Sequence, residues 1–211
     1  MKLLSKIFCL LALMVILLNV VACGITSQST TKDGQQIASD GSEDSKMNNG
    51  KQVLVAYFSC TGNTRQLAKN AAKALNADLY EIKPEQSYTG ADLNYYDKNS
   101  RSTKEMKDEK ARPAINGKIA DFEQYKTIIV AYPIWWDKAP RILDTFMESY
   151  DFSGKTMAAI ATSGGSGIGN SDKELAELGK NLANWKEGKV LAPDTSVDEL
   201  KKWFTQNGLL H

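Results

Sequence analysis

Histidine is almost missing from this chain. His211, the last of 211 residues, is the only one, and a chain end offers a side chain little to hold it in a site. No other residue stands out as a general acid or base. Cysteine is scarce as well: Cys9 and Cys23 fall in an apolar N-terminal segment, leaving Cys60 alone in the rest of the chain. One thiol cannot support an intramolecular disulfide framework. Net charge is lacking too. Lys and Arg number 26 against 25 Asp and Glu, and beyond residue 50 the balance is 22 to 21. That balance argues against nucleic acid as a partner. Neither G-x-x-x-x-G-K-[ST] nor G-x-G-x-x-G follows the first apolar strand, which removes the P-loop and dinucleotide-binding readings.

What is present falls into two parts. Lys2 and Lys6 precede the apolar run "IFCLLALMVILLNVVA", the charged start and hydrophobic middle of an export signal. Its end, "VVAC", resembles the lipobox of bacterial lipoproteins. That resemblance implies that residues 1–22 are removed and that Cys23 carries lipid, tethering the protein to a membrane outside the cytoplasm. The alternative is an uncleaved anchor, for which the run is short against the roughly 20 residues of a spanning helix. Residues 24–50 are polar and without periodicity, so 23–50 read as a lipidated cysteine and flexible linker. A single domain over 51–211 remains.

Within it, "QVLVAYF" (52–58), "ADLYEI" (77–82), "TIIVAY" (127–132), "TMAAIAT" (156–162) and "KVLA" (189–192) read as five strands. Helices alternate with them. Leu67, Ala68, Ala71, Ala72 and Leu75 recur at helical spacing after Asn63, and Pro140 opens a helix bearing Ile142, Leu143, Phe146 and Met147. Ser171 with Glu174, ahead of Leu175, Leu178 and Leu182, and Ser196 with Glu199, ahead of Leu200, Trp203 and Phe204, predict capping boxes. Residues 83–126 are polar and tyrosine-containing, with a helix expected within 92–111. Tyr88, Tyr95 and Tyr96 there read as surface or packing residues, a lid being the other option. The alternation calls for a parallel α/β sheet with helices on both faces, whose ligands sit beyond the carboxyl ends of the strands.

That rule selects three loops. "SCTGNT" (59–64) joins a strand to a helix N-terminus, where unpaired N–H groups and the helix dipole favour an anion. Ser59, Thr61 and Thr64 add hydroxyls, and Gly62 lets the backbone approach. A plain turn with Thr61 as N-cap is the competing reading. "PIWWDKAP" (133–140) brings Trp135 and Trp136, which either cover a core or stack on a flat ring. "TSGGSGIGNS" (162–171) has four glycines, either turn filler or a source of free N–H groups. Together they suit a planar heterocycle on a phosphorylated arm, such as flavin mononucleotide (FMN).

"SCTGNT" resembles the S/T-x-T-G-x-T phosphate loop of the flavodoxins, and the element order over 51–211 is similar to theirs. "PIWW" and "TSGGSGIGNS" resemble a group of short flavodoxin-like proteins from bacteria. The resemblance implies a flavodoxin-like three-layer α/β sandwich with sheet order 2-1-3-4-5 and bound FMN. Ser59, Cys60, Thr61, Gly62, Asn63 and Thr64 would hold the phosphate, with Cys60 filling a variable position through its backbone N–H. Pro133, Ile134, Trp135 and Trp136 would line one side of the isoalloxazine, and Ser163, Gly164, Gly165 and Ser166 its other edge. Electron-carrier flavodoxins are typically acidic and stack an aromatic from the third loop, and this chain does neither. An FMN-dependent oxidoreductase acting on a small acceptor such as a quinone is therefore expected, the alternative being a non-catalytic carrier serving a membrane redox protein.

Overall fold

The computed structural model describes residues 51–179 and 184–210. The signal, Cys23, the linker, Leu182 and His211 lie outside the described residues. In chain order the elements are β1 (Val53–Tyr57), α1 (Asn63–Leu75), β2 (Asp78–Glu81), β3 (Lys83–Pro84), α2 (Arg101–Lys107), β4 (Ile115–Asn116), a short 3-10 turn (Phe122–Gln124), β5 (Thr127–Pro133), α3 (Arg141–Ser149), β6 (Thr156–Thr162), α4 (Ser171–Leu178), β7 (Asn184–Val190) and α5 (Val197–Gln206). No helix among them is long and apolar enough to cross a membrane.

Five strands form one parallel sheet in the order β2-β1-β5-β6-β7. This is the 2-1-3-4-5 arrangement once the small β3-β4 hairpin is set aside. The unbroken apolar strands are explained by cover on both faces. Leu54, Ala56 and Phe58 point to one core with Ile142, Leu143, Phe146 and Met147 of α3 and Leu175 of α4. Val55 and Tyr57 point to the other, with Leu67, Ala68 and Ala71 of α1 and Leu200 and Phe204 of α5. Period-2 alternation along each strand thus splits one hydrophobic run between two cores.

Two expectations about the C-terminal half need correction. The fifth strand begins at Asn184 rather than Lys189. As an edge strand it exposes Glu187 and Lys189, so no apolar run announces it. The predicted stretch is its continuation, since the Leu191 N–H still donates to the Ala161 carbonyl at 2.8 Å. Ser171, in turn, does not cap α4. Asn170 holds the N-cap position, and the buried Ser171 hydroxyl donates to the Ile168 carbonyl (2.8 Å) while meeting the Tyr132 hydroxyl at 3.0 Å. Glu174 pairs with Lys138 at 3.3 Å instead. The Ser196–Glu199 capping box does form at α5.

Residues 83–126 make an excursion closed at its base by the antiparallel β3-β4 pair. Met106, Ile119 and Phe122 anchor it by burial. The hydroxyl of Tyr88 donates to Glu105 at 2.5 Å, Arg101 pairs with the same carboxylate at 2.7 Å, and the Arg101 guanidinium lies 4.0 Å from the Tyr88 ring centre. Burial and this hydrogen bond hold the Tyr88 phenol well above its ordinary pKa.

Candidate functional site

The carboxyl ends of β1, β5 and β6 bring the three loops to one edge. The first turns at Gly62, whose φ of 95° is open to glycine and strained for other residues. Gly62 is also the N-cap of α1, without a side-chain cap, so the reading of Thr61 as N-cap is set aside. The Ser59 oxygen accepts the Gly62 N–H at 3.1 Å, which leaves the Ser59 proton free to donate outward. The N–H groups of Cys60, Thr61, Asn63, Thr64 and Arg65 donate to no other described residue. Arg65 is turned away, its guanidinium on Glu81 at 2.8 Å. The turn is therefore an uncharged set of spare donors at a helix N-terminus, the chemistry that holds a phosphate without a cation.

A cleft of about 330 Å³ opens beside it. Ser59, Cys60, Thr61 and Thr64 line one end, and Pro133, Ile134, Trp135 and Trp136 another. The two tryptophans differ. Trp135 packs edge-on against Phe58 (centres 5.6 Å apart) and Tyr88 (5.5 Å), so its ring belongs to the core boundary. Trp136 is 43% exposed. It sits with Asp137 in a two-residue turn closed by a pair of 2.9 Å bonds between Trp135 and Lys138, and both central residues are left-handed, with φ of 47° and 60°. Each such non-glycine residue costs about 1–2 kcal/mol. Strain of this kind persists where the surroundings over-determine the turn, and here it holds an indole at the cleft wall.

Ser163, Gly164, Gly165 and Ser166 lie on the same sheet edge but do not line the cleft. Ser163 accepts the Gly165 N–H at 3.1 Å. Thr162, just before them, ties the loops together. Its carbonyl accepts the Ile134 N–H at 2.8 Å, and its hydroxyl meets the Thr64 hydroxyl at 2.8 Å.

The remaining wall comes from the excursion: Leu93, Tyr95 and Ser102. Sequence reasoning missed Leu93, Ser102 and Thr162 as site residues, and offered Tyr95 a lid role only as the alternative to surface or packing. Ser102 carries a buried hydroxyl with no partner among the described residues, a polar group left for something bound to satisfy. Tyr95 and Tyr96 stack 4.1 Å apart. With Trp136 they are the exposed large hydrophobic side chains among the described residues, and two of the three line this cleft. The adjacent tyrosines in a polar stretch were the available signal.

Cys60 is half-buried at the cleft, and burial pushes its thiol up to about 12, with Arg101 pulling it down and Glu105 pushing it up less strongly. A thiol held protonated is a poor nucleophile, which matches a backbone role for this position.

Comparison with known proteins bears on this edge of the sheet. No curated protein matches the chain. A crystal structure of a protein provisionally assigned as a flavoprotein, from Bacteroides eggerthii, is 46% identical, with a TM-score of 0.71 over 74% of this chain and 98% of the other. A second, from Bacteroides uniformis, is also 46% identical, with a TM-score of 0.68 over 74% and 99%. A flavoprotein from Lactobacillus acidophilus, in complex with FMN, shares the fold at 21% identity and a TM-score of 0.55 over 72% and 98%. The flavodoxin family profile matches residues 52–207. The chain belongs to the flavodoxin family.

Proposed function

We propose that the protein binds FMN in this cleft and passes electrons through it to a small acceptor such as a quinone. The observation that carries the reading is one cleft with two unlike halves: spare N–H and hydroxyl donors at the α1 N-terminus, and an aromatic wall ending in Trp136. Family membership supports it, as does the FMN complex of the Lactobacillus acidophilus protein of the same fold.

Bound FMN supplies one- and two-electron transfer, and the protein supplies binding, orientation and electrostatics. The Thr61 and Ser59 hydroxyls and the free N–H groups of 60–65 would donate to the phosphate. Pro133, Ile134, Trp135 and Trp136 would bury one side of the ring system and exclude water from it. Ser163 to Ser166, outside the cleft wall, would meet the ring edge through backbone N–H groups. Since that loop brings no aromatic side chain, the cleft would stay open to a small acceptor on its side.

Export and lipid attachment at Cys23 would place this chemistry at a membrane surface outside the cytoplasm. Cys23→Ala should then abolish incorporation of labelled palmitate into the protein.

The deciding test is an FMN titration of the purified protein by flavin fluorescence. One-to-one binding at micromolar concentration or tighter, about −8 kcal/mol or stronger, is expected, together with NAD(P)H-dependent quinone reduction. A flavin that is reducible but inert toward quinones points instead to a carrier for a membrane redox protein. Absence of FMN binding overturns the cofactor assignment.

A further inference from the structure

Resting on the FMN reading, we propose that Thr162, which lies outside the phosphate loop, is a positioning residue for the phosphate cradle and acts through Thr64. The two hydroxyls are 2.8 Å apart, both residues are buried, and either oxygen can be the donor. An anion removes that ambiguity. A threonine hydroxyl has one proton and two lone pairs. A phosphate accepts hydrogen bonds, so Thr64 spends its proton on the anion and must receive one from Thr162. The chain then runs in one direction, from Thr162 to Thr64 to the phosphate, and each donation strengthens the next.

Thr162 is suited to this by its backbone. It is the last residue of β6, and its carbonyl holds the Ile134 N–H at 2.8 Å. Its side chain is thus fixed by the sheet and by the second loop, while Thr64 belongs to the first turn of α1. A β-branched residue at a strand end keeps few χ1 options. The hydroxyl of Thr64 is oriented from below by a group that itself need not touch the ligand.

The test uses the full-length protein and three probes: FMN, riboflavin and inorganic phosphate, the last followed by thermal stabilisation. Thr162→Val keeps shape and removes the donor. It should weaken FMN and phosphate about three- to tenfold, the range of one hydrogen bond, and leave riboflavin within about twofold. Thr162→Ser should restore FMN affinity. In a Thr64→Val background, Thr162→Val should cost nothing further, because the chain has already been cut. Equal weakening of FMN and riboflavin, unchanged affinity for FMN and phosphate, or additive losses overturns the proposal. A wild-type protein that binds phosphate but not FMN removes the flavin reading alone, and the phosphate comparison still decides the role of Thr162. One that binds neither overturns both.

Discussion

The turn after β1 and the excursion after β2 wall the same cleft by opposite means. In 59–64 the binding surface is mainly backbone: N–H groups without acceptors, a left-handed glycine and short hydroxyls, all specified within six consecutive residues. In 83–126 it is side chains, Leu93, Tyr95 and Ser102, brought in by a segment whose regular structure amounts to two short strands, a 7-residue helix and a 3-10 turn. The first can be recognised from its own residues. The second depends on contacts with parts of the chain outside the excursion: Tyr88 on Phe58 and Trp135, Arg112 on Glu148, and the Thr145 hydroxyl on the Pro113 carbonyl.

The largest expected effect breaks the turn. Thr61→Val removes an exposed hydroxyl donor and should weaken FMN by about 1.5–3 kcal/mol, the worth of a hydrogen bond to a charged group. Cys60→Ala leaves the backbone donors in place and should cost less than about 0.5 kcal/mol. Comparable losses in a fluorescence titration would mean that the phosphate does not sit on this turn.

Tyr88→Phe attacks the excursion instead. It deletes the bond to Glu105, although Arg101 still pairs with that carboxylate. Stability should fall by about 1–2 kcal/mol in denaturant melts, and protease sensitivity should rise within 83–126. The ratio of riboflavin to FMN dissociation constants should stay constant, since the phosphate turn is untouched. A change in that ratio would show the two walls to be coupled.

A smaller effect has the opposite sign. Asp137→Gly relieves a left-handed residue at φ 60° and should stabilise the protein by about 0.4–1 kcal/mol. Destabilisation would mean that the Asp137 side chain contributes something beyond the turn.

Smallest is the response of Cys60 to pH. With the folded pKa near 12 against 9.0 for a free thiol, the neutral form is favoured. Its contribution to stability is therefore complete below pH 9 and lost as pH rises towards 12, where the unfolded chain has already released its proton. Alkylation by iodoacetamide should accordingly stay far slower than that of a free thiol from pH 6 to 9 in the folded protein, rising with pH without reaching a plateau. A rate that is fast and levels off near pH 7 would identify a reactive thiol.

Legibility followed the same division. The strands β1, β2, β5 and β6 and the helix starting at Asn63 are readable because continuous apolar runs and 3.6-residue spacing are local signals. β7 is readable only at its end, from Lys189, since the earlier part of this edge strand carries the charged Lys186 and Glu187 in place of an apolar run. The Ser171 box failed because a capping motif describes a solvent-facing serine, and here burial beside Tyr132 turns the hydroxyl inward.

The sequence by itself therefore determined the five-strand α/β order and the uncharged donor-rich turn at Ser59–Thr64, because hydrophobic periodicity and helix-terminus chemistry act over neighbouring residues. Only the tertiary structure decided that Trp135 belongs to the core boundary while Trp136 stays exposed, that Tyr95 and Ser102 wall the cleft, and that Thr162 stands behind Thr64 from 98 residues away. Those placements depend on which side chains share space after packing, and no spacing along the chain encodes that directly.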